Sequence, residues 1–131
     1  MSRAKSAEDA EKVPIDRLSE VVIDHAISIH RQLGPGLLES VYERVLAASL
    51  AREGWRVATQ IGVPIEYDGL VFDVAFRIDL LVDDRLVVEI KSVEELKRVH
   101  AKQPVGLLLN FSANTMREGI RRLVNEHRDR A

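Results

Sequence analysis

The sequence contains no cysteine and few aromatic residues, with one tryptophan, two tyrosines and three phenylalanines among 131 residues. The absence of cysteine excludes disulfide bonds, thiolate zinc sites, iron–sulfur clusters and cysteine nucleophiles. No apolar run approaches the length that spans a membrane, and the N-terminus has no stretch typical of a signal peptide. We therefore expect a cytoplasmic protein without membrane contact. The sequence leaves its oligomeric state open.

An excess of positive charge is also missing, because 19 lysines and arginines face 21 aspartates and glutamates. The net charge of −2 argues against coating nucleic acid by bulk charge, although it allows a local basic groove. The length and the hydrophobic fraction of 46% predict one compact domain. We assign this domain to residues 14–131. Residues 1–13 are small and charged, which predicts a disordered tail.

Hydrophobic periodicity predicts two helices in the first half of the domain. The first helix is expected to be capped by Asp16 or Ser19 and to stop at the "GPG" sequence. The second is expected to run from about Leu38 to Glu53.

The pattern then changes to period two, which predicts an antiparallel meander with a hairpin turn at Asp68-Gly69. A helix over Val93–Lys102 and a short buried strand over Val105–Asn110 are predicted to follow. A last helix is expected to carry Met116 and Ile120. This order of elements is typical of an α/β domain with a mixed sheet.

Charged residues interrupt two adjacent predicted strands. Glu89 and Lys91 lie two apart and therefore face the same way. A two-residue turn before their strand would turn Asp79 away from Glu89. A three-residue turn places Asp79 opposite Glu89 and Arg77 opposite Lys91. We favour the odd turn because it groups the four charges, and a lone buried charge is costly.

An aspartate and a glutamate on neighbouring strands offer the hard oxygen ligands that suit Mg²⁺ or Mn²⁺. The backbone carbonyl of Ile90 is a further candidate ligand, and Lys91 is placed to orient or deprotonate a metal-held water. These groups are the components of metal-assisted phosphodiester hydrolysis. The alternative is a charged patch on a solvated face, held by the ion pairs Arg77–Glu89 and Asp79–Lys91.

Two residues of the second helix share one face. Glu39 lies in the first turn, where the helix dipole favours an acid, and Tyr42 follows one turn later. From the residues alone, each has an ordinary structural explanation.

The string "LGPGLLESVYERVL" resembles the signature of the GxxExxY proteins, a family of the PD-(D/E)xK nuclease superfamily, through Gly36, Glu39 and Tyr42. The similarity continues in order through "YDG", "FRIDLLVDDRLVVEIKSVEEL", "VHAKQ", "VGLLLNF" and "GIRRLVN". The resemblance implies a restriction-endonuclease-like mixed β-sheet flanked by helices. It also implies a Mg²⁺- or Mn²⁺-dependent nuclease that acts on nucleic acid, expected to be DNA.

The resemblance also assigns roles to individual residues. Asp79 corresponds to the metal-binding aspartate of the superfamily, and Glu89 and Lys91 correspond to its E-x-K pair. Glu39 corresponds to the helix glutamate that joins the metal site. Gln103 corresponds to the glutamine of a Q-x-x-x-Y motif.

The sequence departs from the family pattern after Gln103, where Pro104 follows at once and Leu107 occupies the tyrosine position. The remaining chain still supplies roughly the dozen residues that a parallel crossover needs. We therefore predict that Val105–Asn110 lies parallel to Leu86–Lys91, with the carboxylates intact and the grip on the substrate weakened. The alternative is a catalytically silent descendant that binds nucleic acid or a protein partner.

Overall fold

The structure is a computed structural model that describes residues 13–92 and 105–124. Residues 1–12 of the predicted tail, the predicted helix over Val93–Lys102 and Gln103 lie outside the described residues. None of the described helices is long and apolar enough to cross a membrane. The elements, in chain order, are α1 (Ile15–Leu33), α2 (Glu39–Arg52), β1 (Val57–Tyr67), β2 (Leu70–Val82), β3 (Leu86–Lys91), β4 (Val105–Asn110), α3 (Met116–Gly119) and β5 (Ile120–Val124).

Helix α1 starts earlier than the predicted cap residues. Its N-cap is Pro14, whose carbonyl accepts the backbone N–H of Leu18, so both Asp16 and Ser19 fall inside the helix. The predicted caps are therefore wrong. Asp16 instead pairs with Arg122 of β5. The predicted end of the helix is confirmed at Gly34, whose φ of 72° is one that glycine adopts without strain.

The five described strands form one mixed sheet in the order β1-β2-β3-β4-β5. β1 and β2 form the predicted hairpin, and Asp68 and Gly69 both have positive φ values at its two-residue turn. β2 and β3 are also antiparallel. The turn between them is anchored by Asp83, whose Oδ1 accepts the Arg56 N–H at 2.9 Å.

Strands β3 and β4 are parallel, as predicted, and their register runs from Val87 opposite Gly106 to Lys91 opposite Asn110. Just beyond β4, the N–H of Phe111 donates to the carbonyl oxygen of Lys91 at 2.7 Å. The end of β4 therefore holds the backbone of Lys91 in place.

The predicted last helix is wrong. Only α3, a single turn, is helical, and Ile120–Val124 forms β5, antiparallel to β4. Without β5, the outer edge of β4 would carry unpaired N–H and C=O groups beside an apolar strand. The need to pair these backbone groups outweighs the modest helix propensity of the segment, because intrinsic propensity has less influence than tertiary hydrogen bonding.

Helices α1 and α2 pack on one face of the sheet and form the core with it. Alternation along the strands sends every second side chain to this face. The sheet contributes to the core the buried residues Leu80, Val82, Leu86, Val88, Ile90, Leu107 and Leu109.

Candidate active site

The regular ladder between β2 and β3 covers three residue pairs and ends at Leu80 opposite Val88. The turn holds three residues, so the favoured odd register is confirmed. One residue beyond this pair, the carboxylates of Asp79 and Glu89 accept backbone N–H groups in place of backbone carbonyl oxygens. Oδ2 of Asp79 accepts the N–H of Ile90 at 2.7 Å, and Oε1 of Glu89 accepts the N–H of Asp79 at 3.3 Å. These two hydrogen bonds bring the carboxyl groups together where the ladder ends.

Burial raises the pKa of Glu89 to about 7, and the negative charge of Asp79 acts in the same direction. A hydrogen bond between the two carboxyl groups also favours the protonated form, whereas the charge of Lys91 opposes it. The pair therefore holds a proton near neutral pH, or needs a cation in its place.

The raised pKa of Glu89 makes the stability of the protein depend on pH. The ordinary pKa is 4.5 and the folded value is about 7, so the folded state binds more protons than the unfolded state within this window. The contribution of Glu89 to the free energy of unfolding is thus greatest below pH 4.5, and it is lost as the pH rises through about 7. We expect Glu89→Gln to gain on the order of 1 kcal/mol over the native protein at pH 8, after allowance for partial exposure.

Urea unfolding of both proteins at pH 5 and pH 8 checks this expectation. The advantage of Glu89→Gln should be larger at pH 8, and Glu66→Gln, at an exposed acid of β1, should show no such difference. An equal advantage at both pH values would contradict the raised pKa.

Two residues that the sequence patterns did not indicate, Gln60 and Glu43, adjoin Asp79. The Nε2 of Gln60 donates to Glu43 Oε1 at 2.7 Å and lies 3.4 Å from Asp79 Oδ1. Burial raises the pKa of Glu43, and the charge of Asp79 adds to this effect, while the Gln60 hydrogen bond opposes it. Glu43 could have been found from its position one turn after Glu39, on the same helix face.

No sequence signal marks Gln60, whose backbone φ is 53°. A left-handed conformation is uncommon for a residue other than glycine, asparagine or aspartate, and such residues cluster at functional sites. This backbone geometry accompanies a side chain that joins β1, α2 and the carboxyl pair.

Glu39 lies at the carboxyl end of β3. Its Oε2 accepts the N–H of Ser92 at 3.3 Å, and the Ser92 hydroxyl donates to the carbonyl oxygen of Leu37 at 3.1 Å. These contacts fasten the start of α2 beside Lys91, the residue that precedes Ser92. Glu39 itself is exposed, so its carboxylate is open to solvent.

Tyr42 is buried and supports the turn that leads into α2. Its hydroxyl donates to the carbonyl oxygen of Gly34 and accepts the N–H of Leu37 at 3.1 Å. Its ring stacks on Phe111, with 4.2 Å between the centroids. Tyr42 therefore links the glycine turn, which precedes Glu39, to the segment that follows β4.

The alternative ion pairs do not form. In the described part of the chain, Arg77 makes no ion pair with Glu89, and Lys91 makes none with Asp79. Arg77 is exposed, and Lys91 is half-buried.

Leu107, at the position of the family tyrosine, is buried in the core.

The acidic side chains near Asp79 offer a small set of ligands for a divalent cation. Within residues 13–92 and 105–124, no group of three or more His, Asp or Glu side chains is arranged to hold a metal ion. Mg²⁺, however, commonly binds through one or two carboxylates and keeps several waters. The Asp79–Glu89 pair fits this requirement, because both groups are hard oxygen donors and their mutual repulsion favours a cation between them.

One of three comparisons with known proteins found a match. A family profile described as the PD-(D/E)XK nuclease superfamily matches residues 16–123. The chain therefore belongs to the PD-(D/E)XK nuclease superfamily, and its mixed sheet flanked by helices is the restriction-endonuclease-like fold that the sequence predicted. No curated protein and no solved structure matches the chain in the other two comparisons. Membership of this superfamily indicates a nuclease-like function.

Proposed function

We propose that the chain hydrolyses phosphodiester bonds of DNA with the help of Mg²⁺ or Mn²⁺. The observation that carries the proposal is the contact between the Asp79 and Glu89 carboxyl groups at the end of the β2–β3 ladder. Lys91 lies two residues beyond Glu89 in the same strand, and its charge acts on Glu89.

Each residue has a role in this proposal. Asp79 and Glu89 would hold the cation, and the carbonyl of Ile90 would be a further ligand. Glu39, which the resemblance adds to this set, accepts the N–H of Ser92 and forms no three-acid group with the pair among the described residues. A cation held there would supply a water of lowered pKa and would offset the negative charge that develops on the phosphate. Lys91 would orient that water and would stabilise charge on the phosphate through its ammonium group.

Gln60 and Glu43 position Asp79 in this account. The amide of Gln60 donates to both acids, so it restrains the Asp79 carboxylate and offsets part of the repulsion between Asp79 and Glu43. This contact would keep Asp79 oriented when the cation and the substrate bind.

We also assign the chain to the GxxExxY proteins within the superfamily. The support lies in Gly36, Glu39 and Tyr42, which follow the spacing of that signature. The hydrogen bonds of Tyr42 to the glycine turn give this spacing a physical reason, because they hold the residues that lead into Glu39.

The proposal is tested by incubating the full chain with single-stranded, duplex and branched DNA in Mg²⁺, Mn²⁺ or a chelator. Asp79→Asn should abolish any cleavage, because it weakens the cation site. Asp84→Asn makes the same chemical change at an exposed acid in the following turn and should leave cleavage unchanged.

Metal-dependent cleavage that depends on Asp79 but not on Asp84 would support the proposal. DNA binding without cleavage under any condition would contradict it and would favour the catalytically silent relative.

A further inference from the structure

The distal part of the β1–β2 hairpin projects beyond the core. We define the arm as residues 63–76, and its strands remain paired up to Tyr67 opposite Leu70. Most of its side chains are exposed, whereas the continuation of β2 contributes the buried residues Leu80 and Val82 to the core beneath helices α1 and α2. The arm is thus a two-stranded ribbon with little support from the rest of the described chain, and such ribbons are marginally stable alone.

One face of the arm is apolar along its whole length. The ladder pairs Val63 with Phe76, Ile65 with Phe72 and Tyr67 with Leu70. Val63, Ile65 and Tyr67 are two apart in β1 and share a face, and each cross-strand partner points to the same side as the residue that it faces. Large exposed residues on this face, with their exposed fractions, are Ile65 (48%), Tyr67 (71%), Leu70 (59%) and Phe72 (49%). Val74, in the irregular part of β2, lies against Gly62 on the other side.

The exposed area of this face is large for a monomer. These four fractions correspond to roughly 500 Å² of exposed surface, which is within the upper part of the range that monomers leave in one patch. Two such faces in contact would bury roughly 1,000 Å² in total, which is about the minimum expected of a biological interface. A two-fold contact between two copies therefore reaches the area that a dimer needs.

The positions of the charges and the shape of the β1 edge both favour contact between copies through the apolar face of the arm rather than through its edge. Glu66, which pairs with Val71, lies on the opposite side of the arm, so two apolar faces can meet without bringing this acid against its copy. Pairing through the free edge of β1 is disfavoured, because Pro64 has no N–H and the register shifts between Val63 and Ile65.

We propose that the apolar face of the arm is a homodimer interface, in which the arms of two copies pack face to face about a two-fold axis. The contact is self-complementary, so the assembly closes at two copies. Face-to-face packing of the two ribbons would build a small second core at a distance from the α1–α2 core.

The mass of the full chain in solution, measured by sedimentation equilibrium over a range of micromolar concentrations, tests this proposal. The native protein should reach twice its mass of 14.8 kDa and go no further. Phe72→Ser should shift the equilibrium toward the monomer by at least 10-fold in dissociation constant. Val71→Ser is the matched control, because Val71 is 65% exposed and points to the other face.

Leu70→Ser provides a second variant on the apolar face and should repeat the effect of Phe72→Ser. Circular dichroism of each variant establishes that the fold is kept. A monomeric native protein at all concentrations would overturn the proposal. So would assembly beyond two copies, or an equal effect of Val71→Ser and Phe72→Ser.

Discussion

Replacing Lys91 by alanine is expected to lower the rate of phosphodiester cleavage by about 10²- to 10³-fold, the usual loss when a group that stabilises charge in the transition state is removed. Lys91 is half-buried at the end of β3, and its backbone carbonyl is held by Phe111. The substitution removes the ammonium group but leaves the strand and both carboxylates. Cation binding should therefore persist while cleavage is lost.

Single-turnover cleavage kinetics, run beside a cation titration, separate these two effects. Arg31→Ala removes an exposed positive charge from the end of α1 and should change neither quantity. Loss of cation binding in Lys91→Ala would mean that Lys91 supports the site as a whole. An unchanged cleavage rate would remove Lys91 from the mechanism.

Replacing Gly119 by alanine is expected to destabilise the fold by about 3 kcal/mol or more, at the upper end of what overpacking produces. An added Cβ would lie 2.2 Å from the carbonyl oxygen of Asn110 and 3.1 Å from its carbonyl carbon. Both are backbone atoms, so the end of β4 must move. Because Asn110 lies opposite Lys91, the substitution should also disturb the candidate site.

Urea unfolding measures this loss, and Gly62→Ala is its control. A Cβ at Gly62 would lie 3.0 Å from a methyl group of Val74, which is an exposed side chain that can move. We expect Gly62→Ala to change stability by less than about 1 kcal/mol. Similar losses in the two variants would show that contact with the Asn110 backbone is not the reason for glycine at position 119.

The candidate carboxyl pair could be predicted from the sequence because strand geometry restricts the possibilities. Asp79 can face Glu89 only if the turn has odd length, and grouping the charges favoured that choice. The register confirms it. The parallel pairing of β3 with β4 was likewise predictable, because the intervening chain is long enough for a crossover.

Other features depend on tertiary contacts that local patterns do not contain. Ile120–Val124 is a strand because the edge of β4 needs a partner, although its apolar residues also fit a helix. Helix α1 begins before Asp16 because the Pro14 carbonyl already accepts the N–H of Leu18, and Asp16 pairs instead with Arg122, which lies over 100 residues away in sequence. Gln60 reaches Asp79 through an unusual backbone conformation that no sequence pattern marks.

A calorimetric titration of the metal-free chain with Mn²⁺ and Mg²⁺ tests whether Asp79 and Glu89 form a divalent-cation site. We expect saturable binding at micromolar to millimolar concentrations, lost in Asp79→Asn and kept in Asp84→Asn. Proton release should accompany binding near pH 7, because the cation displaces the proton that the raised pKa of Glu89 retains. Absence of binding up to millimolar concentrations, or binding that survives in Asp79→Asn, would contradict this expectation.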